Sequence, residues 1–206
     1  MHTILPQEEN PMLRTISKEI PVKDIKSSPV QKLIEDMKKL LAKEEYGVAL
    51  AAVQVGEPVR LFIVSGKALA RGARNAPDEA KAKNLKSRIP PDQMASVIRS
   101  GSSLEPVPTD HVFINPILLK KSRGKLHKHE GCLSIRGKWG IVPRAEKATV
   151  RAFDDNGKEF TRGATGFLAH IFQHEMDHLE GIVYTDKAVE MYDDPEKPSG
   201  LGARHE

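Results

Sequence analysis

Cysteine occurs once in the 206 residues, as Cys132, so no disulfide can close within the chain. A single thiol suits a reducing compartment. No apolar run approaches the roughly 20 residues that a membrane-spanning helix needs, so no membrane association is expected. The opening residues, MHTILPQEENPMLR, have neither the apolar centre of a secretory signal nor the Arg-rich character of a transit peptide. An excess of one charge sign is also missing. Lys and Arg number 32 against 28 Asp and Glu, a formal net charge of +4, and the signs alternate along the chain. That pattern fits a mixed solvated surface and gives no direct nucleic-acid site. There is no internal repeat. These absences describe a soluble, cytoplasmic protein.

What is present suffices for one domain over residues 1–206. The hydrophobic fraction of 39% and the charged fraction of 29% are those of an ordinary globular chain with a substantial core. The clearest helix is SSPVQKLIEDMKKLLAKEEYG. Ser28 is placed to cap it, Pro29 suits its first turn, and Gly47 falls just past its end. Val30, Leu33, Ile34, Met37, Leu40 and Leu41 recur at helical spacing and form one apolar face. Val59 to Ser65 and His111 to Lys120 are rich in β-branched and aromatic residues and read as strands. KATVRAFDDNGKEF reads as a hairpin turning at Asn156-Gly157, and further turns are expected at Arg123-Gly124 and near Gly137.

Between the first two strands the composition shifts. The stretch at about 67–108 is rich in Ala, Lys, Arg and Pro, too short and too polar for its own core, and reads as a surface insertion. Short helices are expected to open near Asn75 and Pro77 and over PPDQMASVIRSG. From Thr165 the apolar positions Phe167, Leu168, Ile171, Met176 and Leu179 are helical again, and Gly181 is a natural stop. A charged tail runs from about 187; it is expected to begin with a short helix and then fray.

The helix from Thr165 carries QHEMDH. His174 and His178 stand four apart, which places both imidazoles on one helix face, and Glu175 follows the first of them. Solvated surface histidines are the bland alternative. A catalytic divalent ion needs a third protein ligand and one open position. Downstream acids, Glu180 and Glu190, would supply it in a zincin-type metallopeptidase. Upstream, HEGCLS supplies the thiol of Cys132, although a lone cysteine is more often a buried small hydrophobe. A third stretch, GVALAAVQVG, is a run of small residues that permits close backbone approach and ends in a lone amide, Gln54.

Taken in order, the three stretches resemble peptide deformylase, whose pattern reads G-x-G-L-A-A-x-Q, then E-G-C-L-S, then Q-H-E-x-D-H. The chain has GVALAAVQ, EGCLS and QHEMDH. The last two agree throughout; the first departs at Ala49, where the family pattern has Gly. INP at Ile114 to Pro116 and VPRAEKATVRAFDDNGK extend the likeness over most of the chain outside Lys67 to Pro108.

The resemblance implies an α+β fold, with antiparallel β-sheets packed around a central helix carrying the H-E-x-x-H motif. It implies hydrolysis of the N-formyl group from the initiator formyl-methionine of nascent polypeptides, with release of formate. Cys132, His174 and His178 would hold one divalent metal ion per chain, Fe²⁺ in the cell, with Zn²⁺, Ni²⁺ or Co²⁺ as substitutes in purified protein. Glu175 would be the general base and acid. The Gln54 amide and the Leu133 backbone N–H would stabilise the oxyanion.

Substrate would meet Val48, Ala49, Gly131, Phe167, His170 and Ile171. Phe167, His170 and Ile171 precede His174 on its own helix face, and His170 fits best with its nitrogens turned away from the pocket. Glu130 would pair with Arg144 to hold the turn that presents Cys132. Formyl-methionyl peptides are then the partners, with transient ribosome association implied by the timing of the reaction. The bacterial cytoplasm is favoured over an organelle. Only Ala49 favours a non-catalytic metal-binding relative, because its methyl would crowd the substrate strand.

Overall fold

The computed structural model describes residues 2–74 and 109–193. Its first long element is α1, Ser28–Lys43, and the apolar positions Leu33, Ile34, Met37 and Leu41 are buried as their spacing requires. Ser27, not Ser28, occupies the N-cap position, without a side-chain cap bond; Pro29 in the first turn is pre-set for helix instead.

Two antiparallel sheets follow. The larger has five strands in the order β1 (Ala49–Ala51), β2 (Leu61–Val64), β3 (His111–Lys121), β6 (Lys147–Phe153) and β7 (Glu159–Thr165). The smaller joins β4 (Lys125–Cys132), β5 (Ile135–Ala145) and β8 (Glu190–Asp193), in that order. Side chains alternate across a strand, and here both faces of β1 and β2 are covered. Leu50, Leu61 and Ile63 pack with Ile34, Met37 and Leu41 of α1. Ala49, Ala51, Phe62, Val64 and Phe113 face the other way, against Leu168, Ile171, Phe172 and Met176. Those last four belong to α3, Gly166–Leu179. Phe62 and Phe113 stack with centroids 4.6 Å apart, and Phe172 meets Phe113 edge-on at 5.2 Å. The larger sheet is thus held between α1 and α3, and α3 also contacts β5 of the smaller sheet. The expected α+β arrangement around the H-E-x-x-H helix is the one observed.

The β6–β7 hairpin turns at Asn156-Gly157 as expected; Gly157 takes φ +77, and Asp154 Oδ1 accepts from the backbone N–H of Asn156 and Lys158. Three expectations change. The turn joining β4 and β5 falls at Leu133 and Ser134, because Cys132 pairs directly with Ile135, while Gly137 lies inside β5. The tail from about 187 does not begin as a helix. It forms β8, which pairs Tyr192 with Trp139 and Met191 with Gly140. The free edge of β5 organises this segment, and four residues of mixed polarity gave no pattern of their own. The stretch from residue 67 does not start as a surface excursion either. It opens as α2, Gly66–Arg74, whose Ala68 and Leu69 are core residues. The helices expected near Asn75 and over PPDQMASVIRSG lie outside the described residues.

Candidate active site

Helix α3 delivers two of the expected ligands, and the last residue of β4 delivers the third. Gln173 fixes the helix laterally. Its Oε1 accepts from the Ala145 N–H at 2.9 Å, and its Nε2 donates to the Ala145 and Ala169 carbonyls at 2.9 and 2.8 Å. One turn of helix then separates His174 from His178. The Nδ1 of His174 lies 3.0 Å from Glu130 Oε2. A carboxylate only accepts, so Nδ1 carries the hydrogen and Nε2 is directed inward. That Nε2 faces His178 Nε2 at 3.1 Å, and His178 Nε2 lies 3.3 Å from Cys132 Sγ. All three ligand atoms fall within 4.8 Å of one another.

Two ring nitrogens and a sulfur directed at one point stabilise a cation there. The rings titrate accordingly. Burial disfavours charge on both, yet Cys132 and Glu130 hold His174 well above its ordinary pKa. His178 is driven well below, by burial and then by His174. The donor set of one thiolate and two imidazoles fits a borderline divalent metal. Glu130 and Arg144 form the expected pair, and the Arg144 guanidinium also reaches Asp177 on α3.

Glu175 is 3% exposed, and its Oε2 has no hydrogen-bond partner among the described residues. Burial pushes its carboxyl up to about 7, with His174 pulling the other way. Gln54 is buried on the far side of the turn. Its Oε1 accepts from the Ala51 N–H at 2.8 Å, which aims Nε2 at Cys132 Sγ, 3.3 Å away, and at Ser134 Oγ, 3.4 Å away. Leu133 follows Cys132 directly in the turn. Gly131 precedes it against the Trp139 ring; a Cβ there would stand 3.4 Å from that ring.

Of the expected substrate residues, Val48, Ala49, Phe167 and Ile171 share one apolar cluster. Ala49 is 6% exposed and belongs to β1, opposite Val64. Its backbone is extended, so the position has no need of glycine, and the methyl packs into the core. His170 is buried on the same helix, at 6% exposed. Its Nδ1 lies 3.7 Å from Glu130 Oε1. Neither downstream acid completes the site: Glu180 pairs with Arg60 at 2.7 Å, and Glu190 sits exposed in β8.

A polypeptide deformylase family model matches residues 2–193. The chain belongs to the polypeptide deformylase family. Among curated deformylases it is 36% identical to peptide deformylase 1 of Clostridium perfringens, over 76% of this chain and 80% of that protein. It is 34% identical to the chloroplastic peptide deformylase 1A of Solanum lycopersicum, over 86% of this chain but 56% of that protein's length. A deformylase from Acinetobacter baumannii solved with Met-Ala-Ser bound superposes with a TM-score of 0.66 at 25% identity, covering 91% of this chain and 98% of that one.

Sequence reasoning missed several supports of this deformylase-type centre. Asp177, inside QHEMDH, receives the Arg144 guanidinium. In the N-terminal segment, the Leu5 N–H donates to the Gln54 carbonyl at 2.9 Å. The Gln7 N–H donates to the Ser134 carbonyl at 2.8 Å. Asn10 Nδ2 reaches the Val53 carbonyl at 2.7 Å. A segment with no periodicity carries no signal of such backbone bracing.

Proposed function

We propose that this chain is a metal-dependent hydrolase that removes the N-formyl group from initiator formyl-methionine on nascent polypeptides and releases formate. The observation that carries the reading is the convergence of Cys132, His174 and His178, with Glu175 next to His174 in the chain and its buried Oε2 without a hydrogen-bond partner among the described residues. The three would hold one divalent ion, Fe²⁺ in the cell, with Zn²⁺, Ni²⁺ or Co²⁺ as substitutes in purified protein. When bound, such an ion lowers the pKa of water from about 15.7 toward 7 and so provides hydroxide at neutral pH.

The chain's own residues do the rest. Glu130 orients the His174 ring. Glu175 takes the proton of the attacking water at Oε2 and passes it to the leaving amine. Gln54 Nε2 and the Leu133 N–H donate to the oxyanion that forms on the formyl group. One such donor is commonly worth about 10²–10³ in rate. Val48, Phe167, His170 and Ile171 line the methionine pocket, and Ala49 and Gly131 flank the peptide backbone. Met-Ala-Ser bound to the Acinetobacter baumannii relative supports a peptide of this kind as ligand. Residues 1–206 act as one domain, with transient ribosome association in the bacterial cytoplasm, where translation starts with formyl-methionine.

The test is formate release from formyl-Met-Ala-Ser by metal-loaded protein. Turnover dependent on the ion is expected. Failure to release formate, with cleavage of internal peptide bonds instead, would assign the chain to metallopeptidases.

A further inference from the structure

His170 is the one residue at the expected methionine pocket that is both polar and deeply buried. It is 6% exposed. Its two ring nitrogens have different surroundings. Nδ1 faces Glu130 Oε1 at 3.7 Å, while Nε2 is buried without a hydrogen-bond partner among the described residues. Burial holds the ring's pKa down at about 4, against the pull of Glu130, so the imidazole is neutral at physiological pH. A neutral ring has a single N–H. Beside a carboxylate, the hydrogen belongs on Nδ1, because a lone pair pointed at negative charge is repelled. Nε2 is therefore an acceptor, and a buried acceptor without a donor is costly.

The position relative to the centre is fixed by two links. His170 lies one helical turn before His174 on the same face of α3. Glu130 touches both rings, at 3.7 Å and 3.0 Å. Its helix neighbours Phe167 and Ile171 join Val48 in the apolar cluster. A methionine side chain entering that cluster would bring a thioether, which has no hydrogen to give.

We propose that His170 Nε2 is a hydrogen-bond acceptor in the wall of the methionine pocket, and that it extends the substrate class to formyl-peptides whose first side chain has methionine's length and ends in an N–H donor, glutamine foremost. This rests on the deformylase reading above. The apolar walls supply affinity for the methylenes and His170 supplies recognition of the tip. A site with a buried polar group discriminates more sharply than a purely apolar one, because the unmatched ligand leaves that group unpaired.

The experiment compares kcat/KM for formyl-Gln-Ala-Ser and formyl-norleucyl-Ala-Ser. The carboxamide loses the same hydration in every variant, so the ratio of the two substrates isolates the contact to His170. The ratio should be roughly tenfold higher in the wild type than in His170→Leu. His170→Asn retains an N–H toward Glu130 but has no atom where Nε2 stands, and should behave like His170→Leu. His170→Gln reaches that place with an oxygen and should keep the wild-type preference. Product inhibition by Gln-Ala-Ser and norleucyl-Ala-Ser gives the same comparison for binding alone. A ratio unchanged within twofold across wild type, His170→Leu and His170→Asn overturns the proposal while leaving the deformylase reading intact. A wild type that releases no formate from formyl-Met-Ala-Ser removes both.

Discussion

Arg144 grips both oxygens of Glu130, with Nε to Oε1 at 2.7 Å and Nη2 to Oε2 at 2.8 Å, where the two side chains are 4% and 7% exposed. The third arm of the guanidinium reaches Asp177, so one side chain ties β4, β5 and α3 together. Burial would raise the Glu130 pKa, but Arg144 and His174 overcome it and lower it to about 2. Glu130 is therefore ionised, and removing its partner strands a buried charge. Arg144→Met should lower the stability of the metal-free protein by about 3–5 kcal/mol in urea unfolding. The double variant Glu130→Met, Arg144→Met should recover part of that loss, since no buried carboxylate is then left without its guanidinium, while the His174 Nδ1–H loses its acceptor and Asp177 loses Arg144. Equal stability of Arg144→Met and wild type would show that the pair is incidental.

Cys132 contributes the only sulfur of the site, and two imidazoles alone leave a divalent ion under-coordinated. Cys132→Ala should lose its metal on dialysis under conditions where the wild type keeps one ion per chain, with activity lost in parallel. Metal analysis of the dialysed proteins decides it. A Cys132→Ala protein that retains a stoichiometric ion and full turnover would remove the thiolate from the ligand set.

Glu175→Gln keeps the side chain's size while removing its ability to take a proton. Metal content should be unchanged and kcat should fall by about 10²–10⁴-fold, the usual worth of general-base catalysis. Turnover within a few-fold of the wild type would exclude Glu175 as the base. The prediction separates proton transfer from metal retention, which the Cys132 variant affects together.

The sequence made the candidate ligands legible because each sits in a local pattern: His174 and His178 share one helix face, and Cys132 lies in a short motif of its own. The pairing of Glu130 with Arg144 was also readable, through the resemblance. The bracing that sets the site's geometry was not. Gln173 clamps Ala145 across 28 residues and the N-terminal segment bonds to the backbone of Gln54 and Ser134, contacts that depend on tertiary approach. Strand β8 was missed for a related reason, since it exists by completing the edge of β5. Ala49 was legible only in part. As a departure from a pattern it suggested a crowded substrate strand, and only the fold shows its methyl packed with the core.

The pocket prediction follows from where the apolar cluster meets the site. Val48, Phe167 and Ile171 join a cluster whose helix, α3, carries His174 one turn further on. A linear apolar side chain entering there buries its methylenes, each worth about 0.8 kcal/mol. Norleucine matches methionine in length and lacks only the sulfur, so formyl-norleucyl peptides should be processed nearly as well as formyl-methionyl ones. Formyl-glycyl peptides have no side chain to bury and should lose about 100-fold in kcat/KM, from three to four missing methylene equivalents. Phe167→Ala enlarges the cavity and should narrow the gap between formyl-Met and formyl-Gly by weakening the former. The measurement is kcat/KM for the three peptides with wild type and Phe167→Ala. Comparable values for formyl-Gly and formyl-Met in the wild type would mean that the first side chain is held elsewhere.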